Sequence, residues 1–140
     1  MSYRVLNAAD AAWRPSKPMH VQNTDLARQL GTEQFGARLW RFAPGESGTR
    51  HRHVVQHELY VLLEGTGRIR VGDDLLTLDP LSAVVVEPET VRQVFNDTAA
   101  DALWLVMGAP MEVANTPELT PEMKTLLMPD GPGALPPELA

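Results

Sequence analysis

Between Phe35 and Gly108 apolar and polar positions alternate in short blocks, each closed by Gly, Pro or Asp. Arg38-Leu39-Trp40-Arg41-Phe42 alternates and ends at Ala43-Pro44-Gly45. Glu58 to Leu63 is apolar-rich and stops at Gly65-Thr66-Gly67. Arg68 to Val71 alternates, turns at Gly72-Asp73-Asp74 and resumes as Leu75 to Leu78, a hairpin signal because Gly and Asp take the positive φ angles of tight turns. Asp79-Pro80 breaks the chain; Ala83 to Val86 follows, ended by Glu87-Pro88, and then Val91 to Phe95 and Ala102 to Met107. Short runs of this kind predict strands, and about seven of them with few helical signals predict an all-β barrel or sandwich. Residues two apart on a strand share a face. Tyr60 and Leu62 therefore go with Glu58, on the expected interior, while Val91, Gln93 and Phe95 form what looks like the inner side of their strand. Trp40, Phe42, Phe95 and Trp104 are expected to line the core or a pocket within it.

The flanks read differently. Asn23 or Thr24 can cap a short helix over Leu26 to Leu30, ended by Gly31, although strand or loop suits the same residues. Thr120-Pro121-Glu122 has the form of a helix start, with Thr as N-cap and Pro in the first helical position, and one or two turns through Leu127 should follow. Leu126, Leu127 and Met128 would then lie against the barrel or a partner subunit. Beyond Pro129 the Pro/Gly-rich tail is expected to be extended. The chain thus divides into an N-terminal arm (1–34), a barrel (35–110) and a C-terminal helix and tail (111–140), together one structural domain.

Composition narrows the function. Apolar content of 44% and charged content of 21% are those of an ordinary globular protein. The formal charge of −6 weighs against nucleic acid or an anionic membrane as a partner. No stretch has the roughly 18 apolar residues that cross a bilayer, and the first residues lack the apolar run of a signal peptide, so a cytoplasmic location is expected. With no cysteine in the chain, any metal must be held by nitrogen and oxygen.

Three of the four histidines, His51, His53 and His57, fall within seven residues. On a strand His51 and His53 would present two imidazoles on one face. With a carboxylate from a converging strand they form a plausible ligand set for a divalent ion. The other reading of these residues is a polar, His-rich surface strand.

The surrounding spacing resembles the cupin superfamily, specifically its small single-domain members. The family's first motif is glycine, five residues, His-x-His, three or four residues, Glu, six residues and glycine; Gly45, His51, His53, Glu58 and Gly65 match every specified position. Its second motif is degraded. Pro88 matches, Ser82 and Thr90 replace glycines, Gln93 stands for the metal-binding histidine and Asp97 for asparagine. The resemblance implies an antiparallel cupin or jelly-roll β-barrel that forms a homodimer and binds a small-molecule ligand or substrate. It also implies a divalent metal (Fe, Mn, Ni or Zn) held by His51, His53 and Glu58, with Gln93, a weaker neutral amide ligand, in fourth place. The activity implied is a metal-dependent oxygenase or isomerase, with a metal-free ligand-binding cupin as the alternative. Glu58, Tyr60 and His57 are the catalytic candidates, His57 being expected at the rim. Arg41 and Arg92 are the candidates for an anionic substrate group, Arg92 being the one expected at the surface. His20 is isolated, and Asp73-Asp74 reads as turn chemistry.

Overall fold

Strand pairing in the computed structural model, which describes residues 2–112 and 119–140, is antiparallel throughout. The strands are β1 (Arg14–Pro15), β2 (Gln22–Asp25), β3 (Gly36–Phe42), β4 (His57–Glu64), β5 (Gly67–Val71), β6 (Asp74–Leu78), β7 (Ala83–Val86), β8 (Arg92–Phe95) and β9 (Ala102–Ala109). They form a six-stranded sheet in the order β1-β2-β3-β9-β4-β7 and a three-stranded sheet in the order β6-β5-β8. The fold is the expected cupin-type jelly roll. No helix of the described residues is long and apolar enough to cross a membrane.

The core lies between the two sheets. Phe42, Tyr60, Leu62, Val86, Ala102 and Trp104 from the large sheet meet Ile69 and Val94 from the small one, all buried. Turn chemistry sets the registers. The β5–β6 hairpin closes through Gly72 at φ 59°, the left-handed region that glycine enters without a Cβ penalty. Gly65 has φ 83°, and a Cβ there would stand 2.3 Å from the Asp101 carbonyl oxygen, so only glycine allows β4 to end where it does.

Inward-facing residues of the large sheet align in rows, and these rows position the site. Gly36, Gly108 and Glu58 form one row, Arg38, Val106 and Tyr60 the next, and Trp40, Trp104 and Leu62 the third. The N-terminal arm joins this sheet: Asn23 pairs with Trp40 and with Arg14, and Asp25 with Arg38. Strand and helix both occur there, since β2 runs directly into α1 (Leu26–Leu30). The N-cap is Asp25, whose carboxylate accepts from the Arg28 amide at 2.9 Å, rather than Asn23 or Thr24. Gly31 closes the helix at φ 75°, as expected. The second helix, α2 (Pro121–Leu127), begins at Thr120 with Pro121 in its first turn, also as expected. Leu127 and Met128 are buried, whereas Leu126 is exposed.

Strand β8 reverses its expected orientation. Val94 belongs to the core, so Arg92, two residues earlier, shares its inward face. Gln93 and Phe95 point to the other face, where the C-terminal tail covers Gln93: its amide donates to the Ala134 carbonyl at 2.8 Å, to Gly48 O at 3.0 Å and to Ser47 Oγ at 3.0 Å. Phe95, stacked under the Arg68 guanidinium at 5.6 Å, is buried outside the main core rather than within it. The tail is anchored further by Glu138, which pairs with Arg70, and is turned rather than extended, with Pro136 buried.

Candidate metal centre

His51 and His53 lie on the segment that leads into β4, and only His51 makes a strand-like bridge, to Arg92. His51 N–H donates to Arg92 O at 3.0 Å, and Arg92 N–H returns the bond to His51 O at 2.8 Å. His53 N–H is held by the Pro88 carbonyl at 2.7 Å. These backbone bonds bring the two imidazoles together with ring centroids 5.0 Å apart and planes at 88°. Glu58 reaches them from β4. Its Oε1 is 3.4 Å from His51 Nε2 and 3.2 Å from His53 Nε2.

The outer nitrogens of both rings are committed. His51 Nδ1 faces the Thr49 carbonyl at 2.8 Å, and a carbonyl only accepts, so Nδ1 carries the proton. His53 Nδ1 faces Glu112 Oε2 at 3.0 Å and donates to it. In the neutral rings both Nε2 lone pairs therefore point towards a carboxylate oxygen. Three acceptors facing one another call for a cation or a proton between them. Hydrogen bonding of the far nitrogen also fixes tautomer and ring orientation, as it does for metal-ligating histidines generally. His53 Nε2, buried, has no aligned hydrogen-bond partner.

The residues fit a metal ion. The three ligand atoms all lie within 4.8 Å of one another. Two ligands about 2.1 Å from one ion stand roughly 3 to 3.5 Å apart, the separation that Glu58 Oε1 already has from each histidine. Two imidazoles and one carboxylate suit iron, manganese, nickel or zinc.

The surroundings tune these groups. Burial opposes the Glu58 charge, but the adjacent His51 and His53 imidazoles outweigh it and hold its pKa well below the ordinary carboxylate range. Burial alone would lower His53; the carboxylates of Glu58 and Glu112 raise it instead. Tyr60, buried and beside the Glu58 charge, is pushed well above its ordinary value, so its hydroxyl stays protonated and donates to Glu58 Oε1 at 2.7 Å. Glu112 is itself fixed by the amides of Val54, Val55 and Gln56, at 3.0, 2.6 and 3.2 Å. The centre opens into a cavity of about 840 Å³ lined also by Tyr60, Trp40, Phe42, Trp104, Val106 and Leu127.

Residues 38–108, just over half of the chain, match the family model of the cupin domain. The chain is a cupin. Solved structures agree on the fold. A sugar phosphate isomerase of the cupin superfamily from Silicibacter pomeroyi superimposes with a TM-score of 0.70 at 22% identity, covering 77% of this chain and 76% of that one. KdgF from a Halomonas species gives 0.66 at 20% identity, over 78% of this chain and 94% of that one. A predicted oxalate decarboxylase from Thermotoga maritima gives 0.68 at 15% identity, over 75% and 97%. No curated protein matches the sequence.

The cupin pattern explains the β8 reversal. Counted from Pro88, the second motif puts Gln93 in the histidine position. Counted back from Asn96 through His-x₃-Asn, it puts Arg92 there. The structure follows Asn96, which is fully buried and donates to Phe42 O at 2.9 Å and Ala100 O at 2.8 Å. The turn after Pro88 is one residue shorter than the pattern assumes. Gln93 is therefore not brought to the centre, and Arg92 is. Its Nη1 lies 3.6 Å from Glu58 Oε1, fully buried, while Nη2 donates to Glu87 O at 2.7 Å. A guanidinium has donors and no acceptor, so the fourth position of this cupin holds a cation where a ligand is usual.

Other candidates separate cleanly. His57 is exposed on the outer face of β4, turned away from Glu58. Arg41 is on the outer face of β3, 3.6 Å from Glu64 and 3.9 Å from Asp101, and does not line the cavity. Arg92 is buried rather than at the surface. Asp73 and Asp74 belong to the hairpin, and His20 is exposed. Sequence reasoning missed Glu112, which has no motif, and Arg38, whose parity with Trp40 and Phe42 was available as a signal.

Proposed function

We propose that this cupin is a metal-dependent enzyme acting on a small molecule, with His51, His53 and Glu58 as ligands and an oxygenase or isomerase-like reaction. The observation that carries the reading is the pair of imidazoles whose outer nitrogens are engaged and whose Nε2 atoms converge on Glu58 Oε1. A bound divalent ion supplies Lewis-acid polarisation of a substrate oxygen or a site for dioxygen. The protein's own residues do the rest. Glu112 and Thr49 hold the rings, Tyr60 stays protonated on Glu58, and the apolar walls from Trp104, Val106 and Leu127 limit water around the reacting group.

Arg92 favours a second reading. Its buried charge beside Glu58 can balance the carboxylate without a metal, which suits a ligand-binding cupin that performs no catalysis. Elemental analysis of the purified protein, before and after reconstitution with iron, manganese, nickel and zinc, separates the two. The expected result is about one ion per chain, lost in a His51→Ala/His53→Ala variant that still folds. Substoichiometric metal under every loading would leave only the second reading.

We infer also that the protein acts in the cytoplasm as a homodimer. Support for the dimer comes from the outer face of β4 and β7, where Leu59 and Val85 pair side by side and are 39% and 64% exposed.

A further inference from the structure

The inward face of the large sheet is apolar over most of its area, but at the β1–β2–β3 end it is charged. Arg14, Asn23, Asp25 and Arg38 all line the cavity that contains His51, His53 and Glu58, and Lys17 joins them. Arg38 is half-buried on the same face as Trp40 and Phe42, and is pinned: one nitrogen is 3.0 Å from Asp25 Oδ2 and another donates to Asn23 Oδ1 at 2.9 Å. Two of its five N–H groups are used, and the remainder are available to a ligand. Asp25 is the sole carboxylate paired with this group of three cations among the described residues, since Arg14 and Lys17 have no ion-pair partner there. An excess of positive charge at one end of the cavity, in a protein of net charge −6, is a local field that favours an anion.

Register places this basic end relative to the metal centre. Arg38 and Tyr60 share a row with only Val106 of β9 between them, two strand spacings or about 10 Å between backbones. The adjoining row, from Gly36 through Gly108 to Glu58, has no side chain on its first two members. The Gln56 side chain lies over Gly108, and Arg38, Gln56 and Glu58 all line the one cavity.

We propose that the cavity takes a small organic oxyanion, a carboxylate or phosphate ester, with its charged group on Arg38, Arg14 and Lys17 and its other end against His51, His53 and Glu58. The proposal rests on the metal-site reading only for which end reacts; the anion site stands on the basic cluster alone. A planar guanidinium fixed by Asp25 and Asn23 suits either oxyanion, because its free N–H groups form charge-assisted bonds to paired oxygens. A neutral molecule of the same shape leaves these donors unmatched.

Calorimetric titration of inorganic phosphate, malonate and neutral malonamide into the full-length protein, as purified and after chelation with EDTA, tests this. Phosphate and malonate are expected to bind saturably in both preparations, and malonamide to bind at least about tenfold more weakly, the loss of a charge-assisted hydrogen bond. Arg38→Gln should weaken both anions by a similar factor without changing metal content. Arg14→Gln/Lys17→Gln, at exposed positions, should weaken them as well and covers the case in which Arg38→Gln does not fold. Saturable binding that vanishes on chelation and is indifferent to these substitutions would overturn the proposal, as would malonamide binding as tightly as malonate or failure of both anions to bind. A protein that carries no metal but binds malonate through Arg38 would refute the metal reading and leave this one intact.

Discussion

Arg92 is the residue that most changes the chemistry expected of this cupin. It occupies the position where an imidazole would complete a four-ligand site, and two of its nitrogens, Nε and Nη1, are buried without hydrogen-bond partners. Its positive charge beside Glu58 competes with any metal ion for the same carboxylate. Arg92→His is therefore expected to tighten zinc or nickel binding by an order of magnitude or more, measured by competition with a chromogenic chelator. Unchanged affinity would mean that Arg92 does not stand in the ligand position. The two titrating ligands set a pH dependence. Glu58 is lowered, so its contribution to stability is complete above the ordinary value of 4.5 and is lost as pH falls through the lowered one. His53 is raised, so its contribution is complete below the ordinary value of 6.5 and is lost as pH rises through the raised one. Metal-free protein should thus have its highest Tm between these two ordinary values, and metal should shift the optimum upward by displacing the proton from His53 Nε2. Calorimetry across pH, with and without chelator, checks this; a Tm that does not fall on going from mildly acid to mildly alkaline pH would contradict it.

At the scale of elements, the site is assembled where three segments meet: the 51–56 loop, the start of β4, and the stretch just after β9. Glu112 is the clasp between the first and last. It accepts from three successive backbone amides of the loop and from His53, so its carboxylate replaces the strand partner that this loop lacks. Gln56 completes the contact by accepting from the Glu112 amide at 3.0 Å and packing over Gly108, where a Cβ would come within 2.2 Å of its side chain. Glu112→Gln removes the charge and one acceptor while keeping the shape. Metal affinity should fall about tenfold to a hundredfold, the usual cost of losing a carboxylate behind a ligating histidine, with Glu112→Asp restoring part of it. An affinity equal to wild type by chelator competition would show that the loop holds His53 unaided.

At the scale of the whole molecule, the large sheet leaves an apolar surface uncovered on its outer face. Leu59 and Val85 lie beside Met107 on the outer face of β4, β7 and β9, and Phe35 is exposed near its end. In the proposed homodimer this surface would meet its own copy across a two-fold axis. Light scattering is expected to give twice the chain mass for the wild type and a single chain mass for Val85→Arg, with metal content preserved. A monomeric wild type would assign this surface to something else. This face is on the opposite side of the large sheet from the cavity, so the proposed assembly and ligand entry would not compete.

Local pattern by itself determined the strands from Arg38 to Met107, the helix after Thr120 and the His51, His53, Glu58 triad, because period-two burial, turn and cap residues and a constrained motif are properties of neighbouring residues; over Leu26 to Leu30 it left helix, strand and loop open. It did not determine which side of β8 faces inward. A one-residue change in the length of the turn after Pro88 exchanges Gln93 for Arg92 at the centre, and both turn lengths are compatible with the sequence around Thr90. Packing decided it: Asn96 is buried against Phe42 O and Ala100 O, Val94 enters the core, and the tail at Ala134 takes up the amide of Gln93. Glu112 and Arg38 were likewise settled only by tertiary structure, because their partners are 56 and more residues away for Glu112 and, for Arg38, on strands whose order the sequence does not state.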